Sequence, residues 1–161
     1  IVEAVVDINT DRKAAMAGKI VHACGGSVQG KTIAVLGVTF KPNTDDVRDS
    51  PSLVIVPNLQ KLGATVRAFD PEGMDEAQAK LDKVTWCTDS YETLTGADAL
   101  VILTEWNEFR ALNLNRVKAL LSTPLIIDLR NIYDPKELRE AGFHYVSIGR
   151  PDVEDSSSQL Q

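Results

Sequence analysis

Cysteine is scarce in this chain. Cys24 and Cys87 alone, in 161 residues, supply neither a disulfide framework nor a metal-ligand cluster. Two unpaired thiols suit a reducing, cytoplasmic setting. Long apolar runs are missing too: none approaches the roughly 20 residues needed to cross a bilayer, and no signal-peptide pattern is visible, so no membrane partner is expected. Positive charge is in deficit. Lys and Arg number 17 against 23 Asp and Glu, a net charge of −6, which argues against the basic surface that a nucleic-acid partner requires. No nucleophile–base pair and no metal cluster can be picked out, and His22 and His144 stand isolated without a partner pattern.

What is present is the composition of a soluble globular domain, 43% apolar and 25% charged, in a chain long enough for one proper core. The chain is organised around residues 31–51, KTIAVLGVTFKPNTDDVRDSP. Lys31 to Gly37 reads as a buried strand ending in glycine. Ser50-Pro51 reads as a helix start, with Ser50 as N-cap and Pro51 at the first helical position. Between them lies a long loop, Val38–Asp49, carrying Phe40, Lys41, Asp45, Asp46, Arg48 and Asp49. Long loops between a strand and a helix tend to be functional, and this one leaves a strand's carboxyl end, where open α/β sheets bind ligands. An anionic ligand is the expectation.

Residues 1–24 have the spacing of one long helix, stopped by Gly25-Gly26; it either packs on its own domain or forms an interface with another domain or subunit. From Lys31 the pattern is β-α repeated. Strands are predicted at 33–36, 64–69, 84–87, 99–103, 125–129 and 143–148. Helices are predicted at 53–62, 74–81, from Asp89 or Ser90 to Gly96, 114–121 and 135–141. Pro57 inside the first of these predicts a kink, or a helix that begins late enough to hold Pro57 in its first turn. Apolar strands alternating with amphipathic helices predict a Rossmann-like, doubly wound parallel α/β sheet of order 3-2-1-4-5-6, preceded by a long helix. The expected divisions are 1–26 for the opening helix, 27–150 for the α/β domain, and a disordered polar tail over 151–161.

The turn after the first strand, Gly37-Val-Thr-Phe-Lys, is not G-x-G-x-x-G; Phe40 stands where backbone should approach a pyrophosphate, which argues against a dinucleotide there. Asp70, before Pro71, reads as a turn residue. Lys41 and Arg48 are the strongest anion-binding candidates, and pairing with Asp45, Asp46 and Asp49 as a solvated loop is an equal alternative. Arg130, after the fifth strand, lies on the same sheet edge, so cations from two strand ends can converge on one crevice. Phe40 either stacks on a ring or is core, and core is the usual answer; Trp106 and Phe109 either pack under the loop or line an interface. For Glu105 a solvated or capping role is the commoner reading, beside that of a site carboxylate. Cys87 reads as core.

Gly37-Val-Thr-Phe-Lys-Pro-Asn-Thr-Asp-Asp-Val-Arg-Asp-Ser-Pro, Thr-Glu-Trp-Asn-Glu-Phe from Thr104, and Asp128-Leu-Arg-Asn-Ile-Tyr together resemble the UDP-glucose/GDP-mannose dehydrogenase family in its carboxyl-terminal, UDP-sugar-binding domain. The resemblance is nearest to bacterial UDP-glucose 6-dehydrogenases and covers roughly residues 1–150. It implies an enzyme that oxidises UDP-glucose to UDP-glucuronate with two NAD. It implies that Phe40, Lys41 and Arg130 contact the UDP-sugar, that Arg48 reaches NAD, and that the opening helix is the end of an inter-domain helix and part of a dimer interface. It also implies that the catalytic cysteine and the main NAD site lie outside this chain, so no catalytic residue is assigned within it. Ile1 in place of a starting methionine fits a domain of a longer protein. The alternatives are a related UDP-N-acetylmannosamine or GDP-mannose dehydrogenase, and, in another class, a non-catalytic nucleotide-binding or assembly module.

Overall fold

The computed structural model describes residues 2–154, with side chains from residue 11 onward. The chain runs α1 (Val2–Ala23), β1 (Thr32–Leu36), α2 (Ser52–Lys61), β2 (Thr65–Phe69), α3 (Met74–Gln78), β3 (Thr85–Trp86), α4 (Ser90–Leu94), β4 (Ala99–Ile102), α5 (Asn107–Arg110), α6 (Leu114–Leu120), β5 (Leu125–Asp128), α7 (Pro135–Glu140) and β6 (His144–Ser147). All neighbouring strands pair in parallel, in the order β3-β2-β1-β4-β5-β6. This is the doubly wound order that the alternating pattern predicts.

The central strands β1 and β4, with β5, are nearly continuous apolar runs because both faces are covered. In β1 the side chains alternate: Ile33 and Val35 join Ile20, Ile55 and Leu59 in one core, while Ala34 and Leu36 join Leu94, Phe109 and Val117 in the other. The carboxyl half of α1 therefore packs on this domain through Ala17 and Ile20, with Cys24 just after it. A fully buried Ile such as Ile20 contributes about 1.5–3 kcal/mol by its removal from water.

Several boundaries differ from the pattern, for local reasons. The turn from Ser50 is of the i→i+3 kind, Leu53 N–H donating to Ser50 O at 3.1 Å, and α-type bonding starts with Ile55 N–H on Pro51 O at 2.9 Å. Pro51 is therefore the N-cap and Ser50 lies one residue outside, where its Oγ accepts from Ser52 N–H at 3.2 Å. Pro57 falls in the second turn of α2, not the first, and has no N–H for the carbonyl of Leu53. Asp89 and Asp134 do cap α4 and α7, accepting from Glu92 and Lys136 N–H at 2.8 and 3.0 Å. Beyond β6, Val153 forms an antiparallel bridge with Tyr145, so the paired chain runs past the boundary expected at 150; the rest of the expected tail, 155–161, lies outside the described residues.

Gly37 ends β1 with φ +95°, and a Cβ there would stand 2.5 Å from the Thr104 side chain. Close approach of the β1 and β4 ends thus depends on the missing side chain. Gly37→Ala is expected to lower stability by about 1–3 kcal/mol from backbone strain alone, with the clash in addition. A urea midpoint equal to the parent's would contradict the close approach.

Candidate functional site

Strand order reverses between β1 and β4, and loops from four strands meet at their carboxyl ends: residues 37–51 after β1, 70–73 after β2, 103–106 after β4 and 129–134 after β5. The crevice expected there is filled from within. Asp70 is fully buried. Its Oδ2 accepts from Val38 N–H (2.8 Å), Thr39 N–H (3.2 Å), the Thr39 hydroxyl (3.2 Å) and the Trp106 indole N–H (3.2 Å). Its Oδ1 accepts from Glu72 and Gly73 N–H at 2.9 and 2.8 Å. Asp70 does form the turn that its place before Pro71 suggested, but that reading is incomplete. Half of its carboxylate belongs to the β1 loop, bringing a negative oxygen to the amides where a dinucleotide fold would place phosphate.

The stretch Val38–Phe40 has every peptide group held. Besides the two amides on Asp70, Val38 O accepts from the Ser52 hydroxyl at 3.0 Å and Thr39 O from the Thr104 hydroxyl at 2.8 Å. Phe40 N–H donates to Asp46 O at 3.0 Å, and Phe40 O accepts from Arg130 Nη2 at 2.9 Å. On this fixed backbone Phe40 is 48% exposed, so it is not a core residue. An exposed aromatic on a fully bonded loop is preorganised for contact. Lys41 follows it, exposed and with no hydrogen bond or ion pair among the described residues.

Arg130 reaches the same rim from β5. Its Nε donates to Leu103 O at 2.8 Å, its Nη2 to Phe40 O, and its Nη1 lies 3.5 Å from Glu105. Its partly exposed guanidinium therefore sits beside the Phe40 backbone, and Lys41 is the next residue along that loop. Arg130 is also a brace between three loops, which the sequence pattern did not reveal. Its own loop is set by a second buried carboxylate: Asp128 accepts from the N–H groups of Arg130, Ile132 and Tyr133 and from the Tyr145 hydroxyl at 2.6 Å.

Arg48 stands apart. It is exposed and forms a fork on Asp46, Nε to Oδ1 and Nη2 to Oδ2, both at 3.0 Å. This bonding to Arg48 lowers the Asp46 pKa to about 2. For Arg48 the solvated-loop alternative thus describes the observed pairing. Trp106 packs under the loop, Phe109 is core, and Glu105 pairs with Arg130. The sequence argument reached only the turn made by Asp70, and gave Asp128, Thr39 and Thr104 no role. The available signal was an Asp at the carboxyl end of two strands, since that edge faces the site.

The rim is open. The cavity beneath Arg130, lined by Met16, Pro51, Leu103 and Leu129, is only about 60 Å³, well below the roughly 300–1,000 Å³ of small-molecule pockets. A cavity of about 420 Å³ lies at the opposite, amino-terminal edge, around Cys24, Lys31 and His144. Cys24 and Cys87 are buried, and burial raises both thiol pKa values, the reverse of an activated nucleophile. Among the described residues no group of three or more His, Cys, Asp or Glu could hold a metal.

Burial, followed by the Asp128 carboxylate, also pushes the Tyr133 and Tyr145 phenols far above their usual range. Below about pH 10 both are protonated in the folded and unfolded chain alike. Above it the unfolded chain loses protons that the folded chain retains, so stability falls as pH rises. The urea midpoint is expected to drop above pH 10, less steeply in Tyr145→Phe; equal slopes would contradict the buried phenol.

Comparison with known proteins adds identity to this geometry. Residues 34–135 match the pattern described as the UDP-glucose/GDP-mannose dehydrogenase family, UDP binding domain. The chain belongs to this family. It is 53% identical over 152 residues to a UDP-glucose 6-dehydrogenase of Rhizobium meliloti, covering 94% of this chain and 35% of that protein. It is 46% identical to UDP-glucose 6-dehydrogenase TuaD of Bacillus subtilis, covering 95% and 33%. A UDP-glucose dehydrogenase of Pyrobaculum islandicum has the same fold at TM-score 0.71 and 31% identity, over 89% of this chain and 31% of that one. This UDP binding domain thus spans about a third of the relatives it matches.

Proposed function

We propose that this chain is the UDP-sugar-binding part of an NAD-dependent UDP-glucose 6-dehydrogenase, the enzyme class that oxidises UDP-glucose to UDP-glucuronate. The observation that carries the proposal is the rim itself: exposed Phe40 on a fully bonded backbone, followed by Lys41, which has no partner among the described residues, and held by the guanidinium of Arg130. Lys41 supplies a compact, unengaged charge. Arg130 keeps N–H donors beyond those given to Leu103 and Phe40, and they match phosphate oxygens. Phe40 lies against the nucleotide or sugar. The names of the relatives at 53% and 46% identity favour glucose over N-acetylmannosamine or GDP-mannose, and favour an enzyme over a non-catalytic module.

NAD does not fit on the β1 turn, because Asp70 already takes the Val38 and Thr39 amides. In this proposal NAD, which takes the hydride when bound, is held by another part of the enzyme, with Arg48 leaving Asp46 to reach it. The small enclosed volume under Arg130 is consistent with a pocket that another domain completes. The same reading has the enzyme assemble through α1 as a homodimer or larger, in the cytoplasm; among the described residues no helix is long and apolar enough to cross a membrane.

Calorimetric titration tests the proposal. UDP is expected to bind at least tenfold more tightly than UMP, since two cations face the diphosphate, and the chain alone is expected to leave NAD unreduced in the presence of UDP-glucose. Equal affinity for UDP and UMP, or turnover by the purified chain, would contradict it.

A further inference from the structure

We infer that Asp70 is a positioning residue for the UDP site: with the Trp106 indole, its buried carboxylate holds the backbone beneath Phe40 and Lys41 in the conformation that meets the ligand. The inference rests on the proposed UDP binding and assigns a residue that itself touches no ligand.

The carboxylate has an unusual set of partners. Six donors converge on its two oxygens, and among the described residues none belongs to Lys, Arg or His. Four are backbone amides, one is a hydroxyl and one is an indole N–H. A side chain with two acceptor oxygens suits this place. Asparagine has the same shape, but its NH₂ would confront donors in either orientation. The position therefore requires an anion chemically, not merely a small polar residue in a turn.

The bonds also connect the two halves of the rim. Val38 and Thr39 lead directly into Phe40 and Lys41. Trp106 follows Glu105, which pairs with Arg130. The indole N–H lies 3.3 Å from the Thr39 hydroxyl as well as on Asp70, so the β1 and β4 loops share one polar centre. Gly73 lets the β2 loop close onto it: a Cβ there would stand 2.4 Å from the Thr39 methyl. Asp70 thus fixes the distance between the Phe40–Lys41 side and the Glu105–Arg130 side while lying beneath both.

The test compares Asp70→Asn, Trp106→Phe and Ile126→Val with the parent chain, using residue-resolved amide exchange and UDP titration. Ile126 is a buried β5 residue and controls for a general loss of stability. In Asp70→Asn the Val38 and Thr39 amides are expected to exchange at least tenfold faster, with β5 amides little changed, and UDP affinity to fall at least tenfold. Trp106→Phe keeps an aromatic ring but removes the indole N–H together with the five-membered ring; it serves if the Asn variant does not fold, and its UDP affinity is expected to fall about three- to tenfold, with faster exchange at Thr39 than at β5. Ile126→Val is expected to bind UDP as the parent does. Parent-like exchange at Val38 and Thr39 in Asp70→Asn, or parent-like UDP affinity in a folded Asp70→Asn or Trp106→Phe, would overturn the positioning role. A parent that binds no UDP would instead overturn the proposed function, and the exchange contrast alone would then decide whether Asp70 holds the loop.

Discussion

Asp70→Ala is expected to destabilise the chain by about 4–6 kcal/mol, the largest loss for any polar substitution at this sheet edge. Six donors lose their acceptor at once, four of them backbone amides. A buried donor left unpaired costs about 1–3 kcal/mol. Water entering the vacated volume recovers part of the sum, which keeps the total below six independent penalties. Losses above about 4 kcal/mol are rare and arise from a short set of causes, of which a broken buried network is one. Urea unfolding measures the loss directly. A change under about 1 kcal/mol would mean that Asp70 is no more than a turn residue.

Arg130→Ala and Lys41→Ala are expected to separate binding from bracing. In the proposed site each would remove a charge-assisted contact to the diphosphate, about 1.5–3 kcal/mol, or roughly 10- to 150-fold in UDP affinity. Only Arg130 also ties Leu103 O and Phe40 O together and faces Glu105. Arg130→Ala should therefore lower the urea midpoint as well as the affinity. Lys41, which has no partner among the described residues, should lower affinity alone. Calorimetry and urea unfolding on the same two variants distinguish the effects. A Lys41→Ala chain with parental affinity would remove that residue from the site.

The sheet was legible because its signals are local. Runs such as Thr32–Leu36 and Leu125–Asp128 are β-rich and end at turn residues, and the helices between them carry their own caps at Asp89 and Asp134. The Arg48–Asp46 pair spans two residues and was also within reach of a local argument. Asp70 was only half legible. Its turn bonds reach two and three residues along the chain, but its bonds to Val38, Thr39 and Trp106 span 31 to 36 residues. The brace formed by Arg130 spans 27 and 90 residues, so the sequence displays only a cation after a strand. The single turn of α5, Asn107–Arg110, is too short for helical periodicity to register.

Mapping UDP onto the chain by residue-resolved NMR shifts tests the central claim most directly. The expected result is a set of changes confined to 38–41, 104–106 and 129–131, at the carboxyl ends of β1, β4 and β5. Changes gathered instead around Cys24, Lys31 and His144, at the cavity on the opposite edge, would contradict it.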